Sequence, residues 1–290
     1  MQSTLIIAFY FLGLFGGLWF LCFRSKTFKD RKKPVGEKML RSPGNSLFEK
    51  VETLMDRMNF LLFTAGLLPI LLIQLIGSPL TELVLTQTNQ LLVVLCPFFL
   101  GVGISYFLSR KLLNLSHNLL GLKGERLVGE MLNKLMKDGF DVFHDFPLEP
   151  DGKSPNIDHI VVGPNGVFAI ETKTWRKPKE TSDGKNWEVT FHGKQLKFPH
   201  FTTKKGIGQA TQNARLLSKH LSASTNETIR AVPILALPGW FVGSKSIDPL
   251  IVVNPKQIRS AILAKDKTID ESLQKKIAYQ LELRCRDVEF

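Results

Sequence analysis

Paired cysteines are absent from this sequence. Its three cysteines stand at 22, 96 and 285, which excludes a disulfide framework and a zinc site built on CxxC. The six histidines, at 117, 144, 159, 192, 200 and 220, are scattered as well. No Asp, Glu, Lys or Arg interrupts Leu5–Phe23, Phe60–Ile76 or Leu91–Leu108. Runs without ionisable groups argue against a transporter or proton pathway, where such groups are the usual mark. No basic residue precedes the first run and no A-x-A-like site closes it, so it does not read as a cleaved signal peptide.

Each run approaches the roughly 17–25 residues that a spanning helix needs. Read alone, they predict three transmembrane helices: residues 1–23, then a basic loop over 24–59, then a helical hairpin over 60–111. The loop holds Arg24, Lys26, Lys29, Arg31, Lys32, Lys33, Lys38, Arg41, Lys50 and Arg57, whereas Gly77–Gln90 holds no basic residue and a single acid, Glu82. The positive-inside rule then predicts a multi-pass protein of the cell (inner) membrane with its N-terminus outside and residues 112–290 in the cytoplasm. Clustered lysines beside a bilayer would also meet anionic lipid, as a second use of a topology signal. The formal charge of +12 points the same way, toward an anionic surface or an anionic partner.

Beyond Lys111 the pattern becomes that of a mixed α/β unit. Leu127, Met131 and Leu135 recur at helical spacing over 123–136, and further helices are expected over 207–221, 257–263 and 269–283. Ile229–Leu237, apolar except for Arg230, and Leu250–Val253 are runs of the kind found in a covered sheet. Between the helices of 123–136 and 207–221 lie Ile157–Val162, then Gly163-Pro164-Asn165-Gly166, then Val167–Lys173, which read as a hairpin closed by strong turn chemistry.

A turn symmetric about Pro164 and Asn165 sets Asp158 opposite Glu171, with Lys173 on the same face. A loop one residue longer would put the two acids on opposite faces. Directly opposed like charges are destabilising. Either the patch is a solvated surface cluster, or a divalent cation such as Mg²⁺ or Mn²⁺ sits between the carboxylates.

These residues carry a resemblance. Asp158 followed by Glu171-Thr172-Lys173 resembles the PD-(D/E)xK nuclease pattern, and Gly121-x-x-Gly124-Glu125-x-x-Val128 with Ile157–Lys173 resembles the NERD (nuclease-related) domain over about residues 115–222. The resemblance implies a restriction-endonuclease-like core. It also implies roles. Asp158, Glu171 and the Thr172 carbonyl would hold Mg²⁺ or Mn²⁺, Lys173 would act at the attacking water and the phosphate, and Glu125, at the start of its helix, would ligate or orient a bound water. Gln209 matches the glutamine on the following helix, although the chain reads Lys205-Gly206-Ile207-Gly208-Gln209 where members of the family tend to carry Asn-Pro.

After the hairpin come Arg176, Lys177, Lys194, Lys197, Lys204 and Lys205, interleaved with Trp175, Trp187, Phe198 and Phe201. Charge for a phosphate backbone and rings for stacking are what a nucleic-acid track needs; a set of solvated lysines is the plainer reading. The sequence therefore predicts a membrane-anchored, metal-dependent nuclease acting on nucleic acid, DNA in the first place. Its rivals are a non-catalytic nucleic-acid tether and a protein-recruiting membrane scaffold.

Overall fold

A computed structural model describes residues 38–76, 90–148, 156–178, 186–243 and 249–288. Its described residues fall into two compact units, one holding those of 56–111, the other those of 38–55 and from 112 onward.

In the second unit a five-stranded sheet forms the centre. Its strands are β2 (Asp141–Phe146), β3 (Ile157–Gly163), β4 (Gly166–Thr172), β8 (Ala231–Ala236) and β10 (Ile251–Val253), in the order β10-β8-β4-β3-β2. β2, β3 and β4 run antiparallel, whereas β4, β8 and β10 are parallel. The β3–β4 register pairs Gly163 with Gly166 and Val162 with Val167, which continues outward to Asp158 opposite Glu171. Gly163 is required at this turn, because a Cβ there would lie 2.1 Å from the Phe140 ring.

Alternation along β3 and β4 divides the core. Ile160, Val162, Val167 and Ala169 pack with Ala214, Leu217 and Leu221 of α3 (Ile207–Thr225) and with Ile277 and Leu281 of α5 (Glu271–Cys285). Val161, Phe168 and Ile170 pack on the other side with Val128 and Leu132 of α2 (Gln90–Asn133) and with Ile258 and Ile262 of α4 (Ile258–Leu263). Both faces are covered, so the strands read as unbroken apolar runs.

A smaller sheet, β7 (Thr202–Thr203), β6 (Leu196–Lys197), β5 (Glu188–Phe191) and β9 (Phe241–Val242), encloses a third apolar cluster around Trp240. A third pairing joins β1 (Met39–Leu40) to β11 (Arg286–Val288).

Two expectations are corrected. Among the described residues no helix is long and apolar enough to cross a membrane, which overturns the three-helix anchor and the multi-pass membrane location drawn from it. The second and third runs both lie within longer helices that also carry charged residues. Phe60–Ile76 is the later half of α1 (Asn45–Ile76), whose first turns carry Glu49, Lys50, Glu52, Asp56 and Arg57. Leu91–Leu108 opens α2, which continues without a break through Arg110, Lys111, Lys123 and Glu125. The first run, Leu5–Phe23, and most of the Gly77–Gln90 connection lie outside the described residues. The second correction concerns residues 38–55. Read as part of a basic loop, they form β1 and the first turns of α1, inside the α/β unit.

Candidate active site

At the end of β4 the chain leaves the sheet, and a cleft of about 760 Å³ opens there. Its walls come from α1 (Ser46, Lys50), α2 (His117, Glu125), β3 (Asp158), the β4 exit (Thr172, Lys173) and α3 (Gln209). Because β4 is inserted between β3 and β8, its last residues are fixed from both sides. The Thr172 N–H donates to Asp158 Oδ2 at 2.6 Å, and the Lys173 N–H donates to the Ala236 carbonyl at 3.0 Å.

Glu171 lies beneath the cleft floor, 1% exposed. Lys173 Nζ lies 2.6 Å from Oε1 as an ion pair, although Oε1 makes no hydrogen bond, and Asn213 Nδ2 donates to Oε2 at 2.9 Å. A carboxylate this deep is costly unless paired and hydrogen-bonded, and this one is both.

Three acids share the region, and each is displaced the same way. Burial pushes Asp158 well above the usual carboxylate range, with repulsion from Glu171 and Glu125 adding to it. Burial raises Glu171 too, against the opposing pull of Lys173 and Asn213. Glu125 is pushed up to about 7 by burial, then by Asp145 and Glu171. Lys173 feels burial as a downward pull, which the surrounding carboxylates outweigh, so its pKa is raised and it stays charged. One ammonium thus faces three acids. Such a set holds excess negative potential for a cation to relieve.

The predicted residues separate into two groups. Glu125, Asp158, Thr172, Lys173 and Gln209 line the cleft, with Glu171 under it. Glu125 is not at a helix start but more than thirty residues into α2, where that helix passes the end of the sheet. The basic stretch does not line the cleft. Lys194, Lys197, Lys204 and Lys205 are exposed, Arg176 donates to Ser116 Oγ, and Lys177 borders a different pocket. Its aromatics are largely spent on one another: Phe201 stacks on Phe198 at 4.5 Å and 9°, and Trp175 lies 4.9 Å from Phe198. His159 is fully buried on the far face, its Nδ1 2.9 Å from His144 Nδ1. Burial pulls both imidazoles down, His144 to about 4.

Sequence reasoning missed Asn213, Lys50 and Asp145. Asn213 lies one turn beyond Gln209 on the same face of α3, and that spacing was the available signal. Asp145, at φ 51° and 2% exposed, accepts from the Ser46 N–H (2.9 Å), Ser46 Oγ (2.5 Å), Asn156 Nδ2 (3.1 Å) and Arg41 Nη1 (3.1 Å). It caps the N-terminus of α1 from another strand and so holds Ser46 and Lys50 at the cleft.

Among the described residues no three or more His, Cys, Asp or Glu side chains form a metal-holding group. The donors present are two opposed carboxylates, Asp158 at the cleft and the buried Glu171, oxygen ligands of the kind that hard cations such as Mg²⁺ take.

Comparison with known proteins adds a family match that spans the cleft residues from Glu125 to Gln209. The nuclease-related domain family matches residues 120–253. An uncharacterised protein of Bacillus anthracis is 41% identical over 56 residues, 19% of this chain, and the match spans about a quarter (26%) of that relative's length. No solved structure matches.

Proposed function

We propose that this chain, with a nuclease-related domain over residues 120–253, is a divalent-metal-dependent nuclease that hydrolyses phosphodiester bonds, DNA being the favoured substrate. The observation that carries the proposal is Asp158 opposite Glu171 on one strand face, with Lys173 between Glu171 and the cleft. A purely structural patch gains nothing from opposed buried acids, which repel.

Asp158, Glu171 and the Thr172 carbonyl would hold Mg²⁺ or Mn²⁺. Such an ion supplies Lewis-acid stabilisation of phosphate charge and lowers the pKa of bound water. The remaining work belongs to the chain. Asp158 is oriented by the Thr172 N–H, and Glu171 by Asn213. Lys173, beside Glu171 at the cleft, would offer its ammonium to the phosphate oxygens and stabilise the charge that develops there. Glu125, displaced to about 7, is poised to accept a proton from water at neutral pH. Gln209 offers an amide to a water or a phosphate oxygen at the mouth of the cleft.

A second reading, a non-catalytic nucleic-acid-binding module, draws on one observation. Glu171 already has Lys173 paired with one oxygen and Asn213 donating to the other, an arrangement that pairs its charge without a metal. The full chain incubated with DNA and with RNA, with Mg²⁺ and with chelator, separates the two. Metal-dependent cleavage abolished by Asp158→Ala supports the nuclease. Binding without cleavage in any metal supports the module.

A further inference from the structure

Not all the exposed rings near the basic stretch are consumed in packing. Trp187 and Phe241 remain 41% and 49% exposed, their rings edge to face at 5.3 Å. They border a second pocket of about 520 Å³, whose other walls include Met131 of α2 and Trp240, and whose rim carries Lys177 and Lys256. Lys177 Nζ lies 5.7 Å from the centre of the Trp240 ring. Among the described residues no carboxylate lines this pocket. An apolar slot, walled by half-open rings, edged by two exposed lysines and free of acids, is complementary to a flat ring joined to phosphate.

Its position follows from the strand that builds the cleft. The segment leaving β4 carries Lys173 into the cleft and, four residues on, Lys177 to the rim of the pocket. Four residues span at most about 14 Å. A nucleic acid chain with a phosphate at Lys173 therefore needs only a few further units to reach the rim at Lys177.

We propose that this pocket binds an unpaired nucleobase, stacked against Trp187 and Phe241 with its flanking phosphates at Lys177 and Lys256, so that the substrate is a nucleic acid with a single-stranded segment beside the cleft. This deepens the nuclease reading and rests on it. A base held in a duplex cannot enter such a slot without leaving its stack. Single-strand binding by aromatic side chains is tolerant of sequence, since every base has a π-face.

The test is binding of the full chain to labelled oligothymidylate and to a blunt duplex of the same length, in chelator and across a salt series. Trp187→Ala and Phe241→Ala should each weaken single-strand binding about ten-fold, leave duplex binding and the salt slope unchanged, and melt within a few degrees of wild type because both rings are half exposed. Trp187→Phe should recover most of the affinity. Lys177→Gln should leave the stacking intact and lower the salt slope by about one. Equal losses on single strand and duplex, or no loss on either, would overturn the proposal, as would tighter binding of an apolar peptide than of oligothymidylate. Cleavage is scored separately with Asp158→Ala. If Trp187→Ala loses single-strand affinity and wild type never cuts, the nuclease reading falls and the pocket stands; if wild type cuts and Trp187→Ala binds and cuts single strands as wild type does, the reverse holds.

Discussion

The β3–β4 hairpin and the basic stretch of residues 176–205 are neighbours in the chain, yet they teach opposite lessons about how a site is assembled. In the hairpin, backbone pairing alone puts Asp158, Glu171 and Lys173 on one face, because a tight turn fixes the register and the register fixes the face. In the basic stretch nothing local dictates direction. Its lysines remain in solvent, Trp175, Phe198 and Phe201 collapse on one another, and Trp187 is left at a separate pocket. Charge of one sign in a sequence marks a partner; it does not mark where the partner sits.

The contrast can be broken most forcefully at the hairpin. Asp158→Ala and Glu171→Ala should each lower cleavage at least about a hundred-fold, by the same logic that makes removal of one preorganised electrostatic group worth 10²–10³ in rate. Lys173→Ala should reduce the rate while Mg²⁺ binding, read by calorimetry, persists. If all three variants cut as wild type does, the opposed acids are only structural.

Second in size is packing around the hairpin's exit. A Cβ on Gly124 would meet the Thr174 side chain at 2.5 Å, whereas one on Gly121 would lie 3.2 Å from the tip of Leu47. Gly124→Ala should therefore cost about 1–3 kcal/mol and disturb cleavage through the strand that carries Lys173, with Gly121→Ala much closer to neutral. Chemical denaturation beside an activity assay ranks them; the reverse order would show that Thr174 does not fix this exit.

A third test uses pH. For the raised carboxyls, above all Glu125 at about 7, the folded protein holds protons that the unfolded chain releases. Metal-free stability should accordingly be highest in mild acid and fall as pH rises from about 4.5 to 7. Glu125→Gln should flatten that decline, and saturating Mg²⁺ should reduce it by stabilising the ionised acids. Melting curves from pH 4.5 to 8 decide it, and a metal-free stability that climbs over this window would contradict the raised values.

The smallest effect belongs to the basic stretch. Neutralising Lys194, Lys197, Lys204 and Lys205 together should weaken nucleic-acid binding equally for all sequences and lower the salt slope by up to about four, without touching the cleavage rate at saturation. An unchanged slope would leave these lysines as solvated surface.

Much of the central sheet was legible because its information is local: apolar runs, a turn with two glycines, and alternation that sends Ile170 one way and Glu171 the other. The acids and lysine of the candidate site came with it. Asn213 and Asp145 did not, since their partners Glu171 and Ser46 lie 42 and 99 residues away, and no periodicity encodes such a meeting. The apolar runs misled for a related reason. Phe60–Ile76 and Leu91–Leu108 were weighed as isolated windows, whereas the helices that contain them extend into charged residues, and Val128 and Leu132 of α2 pack on the sheet.

Arg41 donates through Nε and Nη2 to Asp287 at 2.7 and 2.6 Å while its Nη1 reaches Asp145, and β1 pairs with β11 beside it. The folding unit is consequently discontinuous: it closes only when a piece of chain preceding α2 returns to the last strand. A protein trimmed to the family-matched residues 120–253 would lose this clasp together with α5, leave Asp145 buried without Arg41 or Ser46, and uncover Ile160 and Val162 where Ile277 and Leu281 had packed. Homology would delimit that fragment correctly, and it would still be expected to precipitate, because the boundaries of resemblance and the boundaries of cooperative folding fall at different places in this chain.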